Sequence, residues 1–176
     1  MKKEKYATLF GGAGRDRESN EYRETVLIGQ LLAENDFIIK NGGYGGMMEA
    51  VSKGATSKNG KAIGVTCKQV GSEKGNSFLS ETIVTQTLFE RLQILIENTE
   101  LFIVQKGGIG TLSEVFLTLD IIRKEKTQQR PKIYFIGEVW NDVISNLKSN
   151  LIPKHEHDLF KIVNDFEAFK KELLQE

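Results

Sequence analysis

The sequence predicts an α/β protein with one doubly wound parallel sheet and helices on both faces. Short runs of β-forming residues alternate with helical patterns from end to end, as in a parallel sheet with right-handed crossovers. The stretch 101–105 is almost continuously apolar, which is typical of a strand buried on both faces. Ten of the 17 glycines lie in three clusters, each directly after a predicted strand. At 176 residues, the whole chain 1–176 is expected to form a single domain.

The predicted elements alternate along the chain. The predicted strands are 6–10, 37–39, 62–66, 81–85, 101–105, 132–136 and 160–163. The predicted helices are 21–35, 47–54, 89–98, 112–124, 139–147 and 166–174. Residues 69–78 show no period and contain two glycines, so we expect a loop there. For the helix 112–124 the expected apolar face is Val115, Phe116, Leu119 and Ile122.

Composition and charge exclude several classes of protein. The 24 basic and 24 acidic side chains cancel, which argues against a nucleic-acid partner. The single cysteine, Cys67, cannot form an internal disulfide and requires no oxidising compartment. No apolar stretch approaches the ~18 residues of a transmembrane helix, and the apolar run 6–10 is too short for a signal peptide. We therefore expect a cytoplasmic protein with no membrane partner.

The glycine clusters indicate a phosphate-binding site. In an open parallel sheet, ligands bind at the carboxyl edge of the strands, and the helix N-termini at that edge suit a phosphate. A phosphorylated ligand, and in particular a nucleotide, is therefore expected. The clusters are Gly11, Gly12 and Gly14; Gly42, Gly43, Gly45 and Gly46; and Gly107, Gly108 and Gly110.

Two common phosphate motifs are absent. The lysine of GKA at 60–62 is followed by alanine instead of serine or threonine, so there is no Walker A loop. After the first strand, GAGRDR at 12–17 lacks the third glycine of a dinucleotide fingerprint, and the second strand does not end in an acidic residue. An NAD-dependent dehydrogenase is thus a poor interpretation.

The stretch KGGIGTLSE at 106–114 remains as the candidate phosphate loop. Its backbone amides and one hydroxyl can hold a phosphate where the next helix begins. Glu114 is expected in the first helical turn, near the sugar of a bound nucleotide. The alternative is a tight strand-to-helix turn with Glu114 as an N-terminal capping acid. The candidate phosphate-binding residues are Lys106, Gly107, Gly108, Ile109, Gly110 and Thr111.

These motifs resemble those of a known family. GGIGTLSE at 107–114 resembles the P-G-G-x-G-T-x-x-E signature of the Lonely Guy (LOG) family, and NGGYGGMM at 41–48 resembles its G-G-G-x-x-G-L-M segment. The similarity extends over essentially the whole chain. It implies a Rossmann-like homodimer that needs no cofactor. The family's characterised enzymes are cytokinin riboside 5′-monophosphate phosphoribohydrolases, which release free base and ribose 5-phosphate.

The resemblance also implies a catalytic pair. Glu90-Arg91-Leu92 matches the segment that supplies the family's arginine, and Glu114 matches the signature glutamate. A carboxylate can stabilise an oxocarbenium-like state and deprotonate water, while a guanidinium can hold phosphate or ribose oxygens. Without the motif, the favoured interpretation of Arg91 is a solvated helix residue paired with a nearby acid. The glycines of the segment 42–46 are expected to line the opposite side of the cleft, and Gly12, Gly43 and Gly46 are candidate substrate-binding residues.

Several residues depart from the pattern of the cytokinin-type enzymes. Leu92 replaces a lysine, Lys106 replaces a proline, and Glu49 stands where those enzymes have glycine. The form Met-Met-Glu-Ala-Val is more similar to the molybdenum-cofactor carriers of the same superfamily. A non-catalytic nucleotide-binding or molybdenum-cofactor-binding protein is therefore the alternative to a hydrolase. His155 and His157 lie two residues apart without a third ligand cluster, so no metal site is predicted.

Overall fold

The computed structural model describes residues 3–14, 16–70, 73–125 and 130–175. Within these residues, the strands are β1 (Lys5–Phe10), β2 (Phe37–Asn41), β3 (Ala62–Cys67), β4 (Glu81–Thr85), β5 (Thr99–Val104), β6 (Lys132–Ile136) and β7 (Lys161–Val163). The α-helices are α1 (Asn20–Glu34), α2 (Met47–Ser57), α3 (Leu88–Ile96), α4 (Ile109–Lys124), α5 (Val139–Asn150) and α6 (Phe166–Leu174). Short 3₁₀ turns occupy Lys68–Val70 and Lys154–Leu159.

The described strands form one parallel sheet in the order β4-β3-β2-β1-β5-β6-β7. The central strand β1 pairs with β2 on one side and with β5 on the other, so that Leu9 lies between Asn41 and Ile103. Strands β2 to β4 therefore extend the sheet on one side of β1, and strands β5 to β7 extend it on the other side. Such a reversal opens a crevice at the carboxyl ends of the two strands that flank it.

Both faces of the sheet are covered, which confirms the predicted fold class. Along β5, Leu101 and Ile103 belong to an apolar cluster built with α1, α2 and α6. Phe102 and Val104 belong to a second cluster, built with α3, α4 and α5. All four side chains are at most 2% exposed, as expected of a strand buried on both faces.

Two helices extend beyond their predicted C-terminal ends. Helix α2 continues to Ser57 because Gly54 permits a close approach of α1: a Cβ at Gly54 would lie 2.0 Å from the carbonyl oxygen of Val26. Glycine at this position thus serves helix packing and does not end the helix. Helix α5 likewise runs to Asn150, three residues beyond its predicted end at Leu147.

The predicted start of the fourth helix was wrong. Helix α4 begins at Ile109, inside the glycine motif, with Gly108 as its N-cap. Residues of a first helical turn have no intrahelical acceptor for their N–H groups, so a helix can begin within a glycine-rich segment. Glu114 consequently lies in the second turn and not in the first, and it does not cap the helix N-terminus. The prediction that Phe116 belongs to the buried apolar face was also wrong, because this residue is 40% exposed.

The predicted loop 69–78 is described only in part. Its first residues belong to the 3₁₀ turn Lys68–Val70, and residues 71 and 72 lie outside the described residues. Of the helices in the described part of the chain, none is both long and apolar enough to cross a bilayer.

Candidate functional site

The three glycine loops meet at the crevice between β1 and β5. The Gly12 N–H donates to the carbonyl oxygen of Lys106 at 3.0 Å, and the Gly12 carbonyl accepts from the Met47 N–H at 3.0 Å. The loop after β1 is therefore hydrogen-bonded both to the loop after β5 and to the first residue of α2. This arrangement brings all three glycine clusters to one edge of the sheet.

Gly46 and Gly43 build the loop after β2. Gly46 has a φ of 63°, and a Cβ there would lie 2.4 Å from the carbonyl oxygens of Gly12 and Gly14, so the two loops touch through it. Gly43, with a φ of 81°, turns toward β3 and accepts from the Asn76 N–H at 2.7 Å. Both glycines are buried and shape the loop itself.

The loop after β5 presents backbone at the surface of the crevice. Lys106 and Gly108 are exposed, and Ile109 is 82% exposed. Thr111 is buried, and its Oγ1 lies against Gly107, where a Cβ would be only 2.1 Å away. Helix α4 starts here without a side-chain cap, and first-turn amides have no acceptor within their own helix, an arrangement that favours an anion.

Arg91 reaches this edge from α3. The start of that helix is capped by two side chains: the Glu90 N–H donates to Thr87 Oγ1 at 3.2 Å, and the Gln86 N–H, one residue before the N-cap, donates to the Glu90 carboxylate at 2.8 Å. One turn in, Arg91 Nε donates to the carbonyl oxygen of Val65 at 2.8 Å. The arginine is only 8% exposed, so it is not the solvated helix residue of the alternative interpretation.

The other end of the Arg91 guanidinium forms a salt bridge with Glu114. Arg91 Nη1 lies 3.0 Å from Glu114 Oε1, and the two side chains are 10% and 12% exposed. Burial raises the pKa of the Glu114 carboxyl above its ordinary value, although Arg91 acts to lower it. Burial thus shifts the pKa of this carboxyl group in the direction that is typical of a general acid–base glutamate.

Two contacts of Arg91 were not predicted from the sequence. A Cβ on Gly42 would lie 1.9 Å from Arg91 Nη2, so this glycine leaves the space that the guanidinium occupies. The Tyr44 ring lies 5.7 Å from Arg91 Cζ. Both belong to the glycine cluster after β2, which was a signal, but their roles depend on where α3 packs.

A second buried carboxylate lies on the other face of the sheet, at the start of α2. Glu49 Oε1 lies 2.8 Å from Arg17 Nε and accepts a hydrogen bond from the Tyr22 hydroxyl at 2.8 Å. Burial favours the protonated form, but the hydrogen bonds from Arg17 and Tyr22 hold the pKa of Glu49 below its ordinary value. Burial, with the bond to Glu49, raises the pKa of Tyr22 to about 12. This cluster ties the segment after the first glycine loop to α2.

The described residues contain no group of three His, Cys, Asp or Glu side chains placed to hold a metal ion. His157 instead bonds through Nε2 to the carbonyl oxygen of Ile152 at 3.0 Å, and His155 is 80% exposed. The histidine pair thus lies on the 3₁₀ turn Lys154–Leu159, away from the glycine loops.

The fold and this edge define a Rossmann-like α/β protein whose glycine loops meet at a topological switch point. Residues 5–135 match the model of the SLOG cluster4 family, and the chain belongs to that family. Together with the named relatives below, this match confirms the resemblance to the LOG family.

Two groups of curated relatives carry the name of an activity. The chain is 39% identical over 91 residues to the cytokinin riboside 5′-monophosphate phosphoribohydrolase of Mycobacterium tuberculosis, covering 51% of this chain and 49% of that enzyme. It is 25% identical over 164 residues to the pyrimidine/purine nucleotide 5′-monophosphate nucleosidase of Escherichia coli, covering 87% of this chain and 32% of that protein. The chain thus spans about half the length of the first enzyme and a third of the second.

Solved structures match over nearly the full length of the chain. The molybdenum cofactor binding protein of Rippkaea orientalis has a TM-score of 0.75 at 22% identity, covering 99% of this chain and 98% of that one. The molybdenum cofactor carrier protein of Chlamydomonas reinhardtii has a TM-score of 0.73 at 20% identity, with 98% of each chain covered. At these identities the likeness establishes the fold.

Proposed function

We propose that the protein is a phosphoribohydrolase that cleaves the N-glycosidic bond of a purine-type nucleoside 5′-monophosphate. The observation that carries this proposal is the buried contact between Arg91 and Glu114, next to an exposed helix N-terminus that suits a phosphate. A structural role explains this pair poorly, because burying two charges costs about as much as their attraction returns. The names of the mycobacterial and E. coli relatives support the same reaction class.

The proposed roles follow from the chemistry of each group. The 5′-phosphate binds the first-turn amides of α4 and the Thr111 hydroxyl, with Lys106 as an exposed cation at the same loop. Arg91 binds the ribose phosphate and positions it next to Glu114. Glycines at 12, 43 and 46 form the opposite side of the cleft.

Glu114 drives the cleavage. Its carboxylate stabilises the oxocarbenium-like sugar and takes a proton from water as the water oxygen bonds to C1′. The bond between C1′ and the base nitrogen breaks, and the proton leaves with the base. The products are the free base and ribose 5-phosphate, and no metal or redox cofactor enters the balance.

The second candidate function is binding of a molybdenum cofactor as cargo. It is favoured by the full-length similarity to a carrier and a binding protein of that cofactor. Glu49, which differs from the cytokinin-type enzymes, is consistent with this branch. In this alternative the phosphate of the pterin would occupy the same loop at α4.

We also propose that the protein is a homodimer in which residues 1–176 form one domain. A groove with apolar side chains lies between α3 and α4 at the edge of the sheet opposite the glycine loops, and Leu92, Ile96 and Ile121 contribute to its lining. Two further lining residues, Phe89 and Leu117, are 82% and 38% exposed. Apolar side chains clustered at a surface mark an interaction site, and a second copy of the chain is the occupant that the LOG resemblance implies.

A panel of nucleoside 5′-monophosphates separates the two candidate functions. The protein is incubated with each nucleotide, and the products are separated by chromatography to detect free base and ribose 5-phosphate. Release of both products in equal amounts supports the hydrolase and identifies its base. If no base is released while a molybdopterin ligand raises the melting temperature, the carrier function replaces it.

A further inference from the structure

Arg91 is held from several directions, and one of its neighbours is aromatic. Its Nε donates to Val65 and its Nη1 to Glu114, which fixes two of the three guanidinium nitrogens. The Tyr44 ring lies 5.7 Å from the guanidinium carbon, within the range of a cation–π contact. The guanidinium therefore lies among a backbone carbonyl, a carboxylate and an aromatic ring.

Tyr44 is itself fixed at both ends. Its hydroxyl accepts from the Cys67 N–H at 3.0 Å, at the carboxyl end of β3. Its backbone carbonyl accepts from Asn76 Nδ2 at 3.0 Å. These bonds hold the ring against the sheet, so that it can determine where the Arg91 side chain comes to rest.

We infer that Tyr44 is a positioning residue, whose ring holds the Arg91 guanidinium in contact with Glu114. Without the ring, the arginine retains its bond to Val65, but its terminal nitrogens gain room to move away from the carboxylate. The effect on turnover rests on the proposed hydrolase function. The effect on the Arg91–Glu114 contact does not, because that contact is present in the protein alone.

The direct test follows the titration of Glu114 by NMR, using ¹³C-labelled glutamate carboxyl groups and Glu114→Gln to assign the resonance. Arg91 lowers the pKa of Glu114, so a variant that frees the guanidinium raises this pKa further. Tyr44→Leu is expected to raise it, and Tyr44→Phe, which keeps the ring but loses the hydrogen bond from the Cys67 N–H, is expected to raise it less. Tyr44→Met serves the same purpose as Tyr44→Leu if the latter fails to fold.

A matched control comes from a second tyrosine next to a cation. The Tyr6 ring lies 5.3 Å from Lys40 Nζ, and Tyr6 is on β1 instead of the β2 loop. Tyr6→Leu removes a comparable contact and is expected to leave the Glu114 titration unchanged. An unchanged titration in folded Tyr44→Leu or Tyr44→Met overturns the inference, and so does an equal shift in Tyr6→Leu.

Turnover provides the second readout. In the hydrolase assay, Tyr44→Leu is expected to lower kcat by about tenfold or more with little change in KM, because misplacement of a positioning group mainly affects the reacting geometry. Tyr44→Phe is expected to restore most of the rate. If the wild-type protein releases no base, the hydrolase proposal fails, and the titration still decides the role of Tyr44.

Discussion

Arg91 on α3 and Glu114 on α4 meet at 3.0 Å between Nη1 and Oε1, although 23 residues separate them in the sequence. Each side chain is about nine-tenths buried. The contact depends on two helices that follow different strands and pack on the same face of the sheet. It places one fixed cation and one carboxyl of raised pKa at the edge where the glycine loops converge.

The space around the guanidinium gives a matched pair of glycine substitutions. A Cβ at Gly42 would lie 1.9 Å from Arg91 Nη2 and 2.7 Å from Met48 Sδ, the ends of two side chains. Gly42→Ala is therefore expected to displace Arg91 and lower kcat/KM by about tenfold or more.

Gly45→Ala is the control in the same loop, because its nearest neighbour would be the Ala13 carbonyl oxygen at 3.7 Å. This variant is expected to keep wild-type activity. Equal rates for the two variants would show that the position of Arg91 does not matter for turnover.

The raised pKa of Glu114 predicts a particular pH dependence of the free energy of unfolding. Its pKa is raised in the folded protein, so its contribution to stability is present below the pKa of an unfolded glutamate, about 4.3, and is lost as the pH rises through the folded-state pKa. Glu114→Gln cannot titrate at this position and does not lose that contribution.

Urea unfolding of both proteins between pH 4 and pH 8 checks this prediction. The free energy of unfolding of Glu114→Gln is expected to increase relative to wild type as the pH rises. Glu73→Gln, at an exposed glutamate, is the control and should follow the wild-type curve. A constant difference between wild type and Glu114→Gln across this range would show that burial does not raise the pKa of Glu114.

Glu49 gives the stability a pH dependence opposite in sign to that of Glu114. Its pKa is lowered in the folded protein, so its contribution is present above the unfolded pKa and is lost as the pH falls through the folded-state value. At pH 7, Glu49→Ala is expected to reduce the free energy of unfolding by about 2 kcal/mol, because it leaves the Tyr22 hydroxyl without its acceptor.

Glu18→Ala is the matched control for this carboxylate. Glu18 pairs with Arg23 at 3.2 Å but is 88% exposed, so its loss should cost less than about 0.5 kcal/mol. The cost of Glu49→Ala is expected to shrink in acid. Costs that are similar for the two variants at pH 7 would contradict a stabilising role of the buried cluster.

The exposed apolar residues of α3 and α4 predict the oligomeric state. Light scattering after size-exclusion chromatography is expected to give twice the mass of one chain, and Leu117→Arg is expected to give the monomer. Val143→Arg is the control on α5, because Val143 is 39% exposed and Leu117 is 38% exposed. A wild-type monomer, or a dimer that Leu117→Arg leaves intact, would reject the proposed interface.

Most of the fold could be predicted because hydrophobic periodicity is a local property. Every predicted strand and helix is present, since buried strands such as β5 are encoded by runs of apolar residues. The errors lie where tertiary packing determines the end of a helix or where a helix terminus lies outside the apolar pattern. Gly54 continues α2 because α1 packs against it, and α4 begins three residues earlier than its apolar pattern at Leu112 suggests.

The candidate site was predictable in part. The glycine loops and the expectation of a phosphate follow from the sequence and the sheet, whereas the pairing of Arg91 with Glu114 came from the LOG resemblance. The contacts of Gly42 and Tyr44 with Arg91 were missed because they arise only when α3 packs beside the loop after β2. Such tertiary contacts leave no periodic trace in the sequence.

The most direct test of the central proposal compares the wild-type protein with Glu114→Gln on the nucleoside 5′-monophosphate that releases most base. Glutamine keeps the shape of the side chain and can still accept a hydrogen bond from Arg91, but it cannot take a proton from water. We expect base release to fall at least 100-fold, in line with the usual contribution of general acid–base catalysis, about 10²–10⁴. Nucleotide binding measured by calorimetry should remain. Undiminished release by Glu114→Gln would contradict the assigned role of this carboxylate.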